Sequence, residues 1–188
     1  MNRSQIIDVV AAETDASKAV AKRILAAFEA RVKAHNDAGR NVTLRGFGAF
    51  SQGLPSQKTG RNPRTGAAIT YTAYHRPANV PSVLYTALLD EIAADTKADL
   101  PTIVRALDGV KGCIVSSVSK GNQVNLNGFG CFRSSKRAAR TGRNPKTGVS
   151  ILIPATTVPH FKASKAGNVG AKFAAGSGFK VAVAGRRA

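Results

Sequence analysis

The stretch Val42-Thr-Leu-Arg-Gly-Phe-Gly-Ala-Phe50 returns later in the chain as Val124-Asn-Leu-Asn-Gly-Phe-Gly-Cys-Phe132, displaced by 82 residues. The same shift lays Thr59-Gly-Arg-Asn-Pro-Arg-Thr-Gly66 over Thr141-Gly-Arg-Asn-Pro-Lys-Thr-Gly148 with no gap. Across 41–66 and 123–148, 13 of 26 residues are identical, so the chain is a duplication and each half is read as one unit. Working outward, Ile6-Ile7-Asp8 falls over Leu88-Leu89-Asp90, Ala11-Ala12 over Ala93-Ala94, and Gly39 over Gly121.

Each half then reads as two helices followed by strands. In the first, Ser4–Ala12 is a short helix, Glu13–Asp15 a turn, and a longer helix runs from an N-cap at Ser17 to a stop at Gly39, with Val20, Ile24, Phe28 and Val32 on its apolar stripe. In the second, Asp99 is the N-cap, Pro101 is tolerated in the first turn, and Leu100, Val104, Leu107, Val110, Ile114 and Val118 form the stripe. The alternation Val42-x-Leu44 and Val124-x-Leu126 marks strands, and Gly-Phe-Gly marks a turn or a close backbone approach. A β-hairpin follows, returning through Ile69–Tyr71 or Ile151–Ile153. The expected fold class is α+β: two modules, 1–82 and 83–170, each with two helices and a small antiparallel sheet extended into a ribbon, followed by a tail at 171–188.

Composition narrows the function. Apolar residues make up 43% of the chain, aromatics only 6%, and Trp is absent, which suits aliphatic packing with a few Phe plugs. Lys and Arg number 28 against 10 Asp and Glu, a net +18 that repels itself unless a polyanion compensates it. Nucleic acid is the first candidate, ahead of a merely solubilising, membrane-surface or ribosome-associated role. Cys113 and Cys131 form neither a CxxC pair nor a secreted-type framework, which points to a reduced cytosolic compartment. Arg3 and Asp8 break any signal-like run at the N-terminus, and no apolar run approaches the ~18 residues of a membrane span. The expectation is a soluble, intracellular protein with no membrane partner.

The hairpin tips carry the chemistry. Gly, Asn and Pro suffice for a turn, but a turn alone does not require Arg61 and Arg64, or Arg143 and Lys146, beside an exposed Pro63 or Pro145. The arm looks too short of apolar residues to pack on its own module, and a rigid wedge among cations suits insertion between base pairs of a minor groove. The Gly-Phe-Gly-x-Phe run, the Arg-Asn-Pro-x-Thr-Gly tip and Ile153-Pro-Ala-Thr-Thr-Val-Pro-His-Phe-Lys162 together resemble the HU/IHF family of bacterial histone-like proteins over nearly the whole chain. That resemblance implies an intertwined helical body with two ribbon arms that wrap double-stranded DNA, the tip prolines Pro63 and Pro145 intercalating to kink it. It implies DNA contacts from Lys58, Arg61, Asn62, Arg64 and Arg76 in the first half. In the second it implies Arg133, Lys136, Arg137, Arg140, Arg143, Asn144, Lys146, Lys162 and Lys165.

The halves are unequal. Arg133–Arg140 holds four cations where Ser51–Lys58 holds one, and Arg76–Val80 lacks the Phe-Lys pair of Phe161 and Lys162, which puts phosphate contacts near Asn79 and Val80 in doubt. Up to residue 82 there are 12 Lys and Arg against 5 acids; the remainder has 16 against 5. The family's final helix has no room in the first copy unless Ser82–Ala94 serves both modules. In the second copy Ala166–Gly170 and a tail stand in its place. The tail bears Lys172, Lys180, Arg186 and Arg187 and reads as flexible and basic, either solubilising or phosphate-contacting. Two pairings fit: a pseudo-dimer within one chain, or module exchange between two chains if the short Pro77–Ser82 linker forbids the first.

Nothing in the rest of the sequence suggests catalysis. His35, His75 and His160 are scattered without metal-ligand spacing, there is no phosphate-binding Gly-Lys-Ser/Thr loop, and Gly46-Phe-Gly48 precedes a strand rather than opening a helix. Cys131 replaces Ala49 and reads as a small core residue. The expectation is a non-enzymatic, cofactor-free binder that bends and compacts duplex DNA with weak sequence preference. The alternative is a basic clamp for structured RNA or a nucleoprotein partner.

Overall fold

The computed structural model describes residues 1–52, 54–75, 81–164 and 171–185. Helix α1 (Arg3–Thr14) runs two residues beyond the expected end, stopping where Asp15 turns left-handed, and Thr14 is satisfied by donating from Oγ1 to the Val10 carbonyl. Helix α2 (Lys18–Asp37) starts where Ser17 Oγ accepts from the Val20 amide. In the second half α3 (Tyr85–Thr96) and α4 (Leu100–Ser119) repeat the pattern, with Asp99 accepting from the Thr102 amide at 3.1 Å. The segment Ser82–Ala94 is therefore not one shared helix: Ser82–Val83 is a short strand, and α3 is the counterpart of α1.

Each short helix packs on its own long helix and on the long helix of the other half, so α1 lies along α4 and α3 along α2. A single core runs through both halves, including Ile6, Ile24, Phe28 and Val32 with Leu88, Ile92, Ile103 and Leu107. On α4 the expected stripe drifts at its N-terminal end: Leu100 is 44% exposed, whereas Ile103 and Ala106 are fully buried. Ile103, Leu107, Val110, Ile114 and Val118 form the core face, so the expected stripe holds from Leu107 onward and only its first turn, Leu100 and Val104, is set one residue off that face.

The eight Phe residues gather into one connected cluster at the centre rather than acting as scattered plugs. Burying each of them removes enough apolar surface from water to be worth roughly 1.5–3 kcal/mol. One-sided ion pairs join the halves: Arg31 donates twice to Asp95 at 2.6 Å and reaches Glu91 at 3.5 Å, while His35 Nε2 lies 2.9 Å from Glu91. At the shift of 82 the counterparts of Arg31 and His35 are Cys113 and Ser117, so this lock has no twin.

The sheets contain the main departure from the sequence reading. In the second half, β6 (Val124–Leu126) and β7 (Gly130–Arg137) pair antiparallel, and β10 (Thr156–Ala163) returns along β7 with Phe161 opposite Phe132. The first half has the matching β1 (Asn41–Leu44) and β2 (Gly48–Gln52), with β5 (Ser82–Val83) added parallel to β1. Its return strand, however, is β11 (Ala171–Ala175), from the far end of the chain, with Phe173 opposite Phe50. Helix α5 (Ser177–Ala184) follows directly, and its buried Phe179 stacks on Phe47 at 5.1 Å and 11°.

The expected flexible tail at 171–188 is thus corrected for its described part: Ala171–Ala184 is a strand and the final helix. The first sheet is completed by residues that follow the second module. The physical reason is a core vacancy. At the shift of 82, Asn79 stands where Phe161 fills the second sheet, and Phe173 supplies the missing ring. The two placements match closely, Phe50–Phe173 at 4.8 Å and Phe132–Phe161 at 4.7 Å. Gly48 and Gly130 permit the approach, because a Cβ on either would lie 2.5 Å from the Phe173 or Phe161 ring.

Candidate nucleic-acid interface

Two ribbons project from this body. The first arm pairs β3 (Leu54–Arg61) with β4 (Ala68–His75) over eight residues. The second continues the β7–β10 register outward into β8 (Arg140–Arg143) and β9 (Ser150–Ile153), interrupted only around Ala138–Ala139 and Pro154–Ala155. At each tip an Asn closes the turn. Asn62 Oδ1 accepts from the Arg64 amide at 3.0 Å, and the Asn62 backbone bonds to Ala67 and Gly66. Asn144 does the same with Lys146 at 2.9 Å, Val149 and Gly148. The side-chain oxygens of Asn62 and Asn144 therefore shape the tips, a structural role beside the DNA contact expected of both. The turns hold Pro63 and Pro145 exposed at the apices.

Of the expected contact residues, Lys58, Arg61 and Arg64 on the first arm are exposed, as are Arg133, Lys136, Arg137, Arg140, Arg143, Lys146 and Lys162 on the second. None of them forms an ion pair among the described residues. The sequence explains this: positions 38–89 and 109–188 contain no Asp or Glu at all, so the arms carry cations without internal neutralisation. Arg76, Asn79, Val80 and Lys165 lie outside the described residues.

The arms do carry apolar side chains, and these stay exposed rather than packing on the body, in line with the expectation that the arms do not pack on their own modules. Ile69 and Tyr71 are 45% and 49% exposed, and Val149, Ile151, Leu152 and Ile153 are exposed as well. The register places Ile69 and Tyr71 beside Gly60 and Lys58 on one face, and Ile151 and Ile153 beside Gly142 and Arg140 on the matching face. Each ribbon therefore presents an apolar rail next to a glycine and ends it with a cation. Exposed apolar surface of this kind marks a contact face.

The sheets from which the arms grow also have an open face. Helices α2 and α4 cover one side of β2 and β7. On the other side of the second sheet Arg133 faces His160, and Lys162 faces Cys131. Lys172, expected in a flexible tail, stands exposed on the corresponding face of the first sheet. The signal available in the sequence was Phe173, which has an alanine two positions on, Ala175, as Phe161 has Ala163. Cys131 is half-buried rather than buried, and burial pushes both its thiol and that of Cys113 up, away from nucleophilic use.

The model of a family described as bacterial DNA-binding protein matches the chain twice, over residues 1–85 and 83–168. The chain belongs to that family. Among its relatives, the DNA-binding protein HU-beta of Escherichia coli K12 is 47% identical over 79 residues, covering 88% of that protein and 42% of this chain. HU-beta of Pseudomonas aeruginosa PAO1 is 51% identical over 81 residues, with 88% and 42% covered. HU-alpha of Vibrio cholerae is 48% identical over 83 residues, with 90% and 43% covered. One relative accounts for less than half of this bacterial DNA-binding chain, and the family pattern fits it twice. An Anabaena HU–DNA cocrystal structure matches 42% of the chain at 42% identity with a TM-score of 0.40.

Proposed function

We propose that this architectural DNA-binding protein bends and compacts double-stranded DNA by gripping it between two unequal arms, without catalysing a reaction and in association with the nucleoid or a viral genome. The observation that supports the reading best is the pair of exposed prolines, each at the apex of a ribbon whose turn is held by an Asn side chain and whose cations have no acidic partner among the described residues. A wedge must be rigid to unstack a base step, at a cost of a few kcal/mol that the wider contact with bent DNA then offsets. The apolar rails of Ile69 and Tyr71, and of Ile151 and Ile153, would lie against the groove walls.

Sequence preference is weak on this reading, since cations meeting phosphates carry no base code and the minor groove distinguishes little beyond A·T from G·C. The cations Arg133, Lys136, Arg137 and Arg140 give the second arm the stronger grip. The test is bending of a duplex measured by fluorescence transfer between its ends. Replacing both Pro63 and Pro145 by Ala should lower the bend far more than the affinity, with Pro145→Ala the more damaging single change. Unchanged bending in the double variant would sink the wedge. Competition between kinked DNA and double-stranded RNA separates the RNA-clamp alternative, because the A-form geometry of RNA does not admit a minor-groove wedge.

A further inference from the structure

We infer that Lys172, on the C-terminal strand β11, is a phosphate-binding residue for the DNA at the base of the first arm, so that the end of the chain completes the DNA-binding surface of its beginning. The inference rests on the proposed grip of duplex DNA and extends it to a residue that the duplication hides. In the second sheet the cross-strand pair Arg133–His160 lies on the face away from the helices, next to the inward pair Phe132–Phe161. The first sheet has the same arrangement with the strands' roles exchanged. Phe50–Phe173 points inward, and the outward pair beside it is Ser51–Lys172.

At this station β7 carries the second sheet's cation and β11 the first's. The neutral Ser51 that weakened the first half in the sequence is thus answered by a lysine from 121 positions away (172 minus 51). The next outward pair differs: Cys131–Lys162 is cationic, and Ala49–Ala174 is not.

Geometry gives the face its ligand. The helices close the other side of both sheets, and β7 and β10 run on from the sheet into the second arm, so a duplex held by the arms meets the sheets on this open face. Lys172 is exposed there and forms no ion pair among the described residues, leaving its ammonium available to a phosphodiester. Its position depends on closure. The strand is held by its register with β2 and by Phe173 and Phe179 in the core, so the first arm has this contact only when the C-terminus has docked.

The experiment measures the salt dependence of duplex binding by the full-length chain and three variants, together with their melting temperatures. Lys172→Ala should lower the slope of log affinity against log salt by about 0.9, one phosphate's worth, and weaken binding about eight-fold at 0.1 M salt, with melting unchanged. Lys172→Arg should restore the wild-type slope. Ala174→Lys, which copies Lys162 onto the first sheet, should raise the slope by a similar step. An unaltered slope in Lys172→Ala, or a loss that Lys172→Arg does not restore, overturns the inference. A wild-type chain whose binding ignores salt would instead defeat the reading of DNA grip itself.

Discussion

Gly130 and Glu29 show how much single side chains decide. A Cβ at Gly130 would lie 2.5 Å from the Phe161 ring and 2.7 Å from the Lys162 carbonyl, and the backbone there has a φ of +159°. Gly130→Ala should therefore destabilise by about 1–3 kcal/mol, the usual range for overpacking, measurable by denaturant unfolding. A loss within error would mean that the return strand can shift without cost. Glu29 sits largely buried against Arg3 at 2.9 Å, with Oε1 lacking a hydrogen-bond partner among the described residues. Burial pushes its carboxyl up to about 7, partly opposed by the Arg3 charge.

Because the folded value exceeds the ordinary 4.5, the contribution of Glu29 to stability is complete at acid pH and lost as pH rises from about 4.5 through about 7. The loss is on the order of 3 kcal/mol. Glu29→Gln should flatten the fall in melting temperature across that window, and an equal fall in the variant would remove Glu29 as its cause. The burial of Glu29 was not legible in the sequence, where a charged residue on a helix reads as solvated.

At the scale of elements, the arms were the most legible part of the chain and the C-terminal segment the least, with the helix stripes legible except in the first turn of α4. Turn chemistry is local: Asn, Pro and Gly at the tips dictate the bend whatever surrounds them, and the Ser17 and Asp99 caps are local in the same sense. The core face of α4 is not, because Leu100 and Ile103 are equally apolar and only the neighbouring helices select between them. The arms also carry the asymmetry of function. Neutralising Arg133, Lys136, Arg137 and Arg140 together should reduce the salt slope several times more than Lys58→Ala, which removes the lone cation of the matching strand. Equal effects in a titration of salt against affinity would show that the arms share the load.

For the molecule as a whole, the two halves meet in one core and are locked on one side by Arg31, whose hydrogen bonds hold the Asp95 carboxyl below the usual range. The chain should therefore run as a single-chain species in native mass measurements, and a two-chain mass would favour module exchange. Phe179 anchors the closing helix, so Phe179→Ala should cost about 3–5 kcal/mol, the range for emptying a buried aromatic site. A loss below about 1 kcal/mol in thermal unfolding would show that α5 is dispensable to the body.

The sequence by itself determined the duplication, the helix caps, the basic acid-free arms and their proline tips, because each is written in adjacent residues or in a repeat visible along the chain. Only the tertiary structure decided that Ala171–Ala184 closes the first sheet. Strand pairing is made by backbone groups common to all sequences, and what selects β11 is a Phe-shaped space beside Phe50 that exists only once both halves have packed.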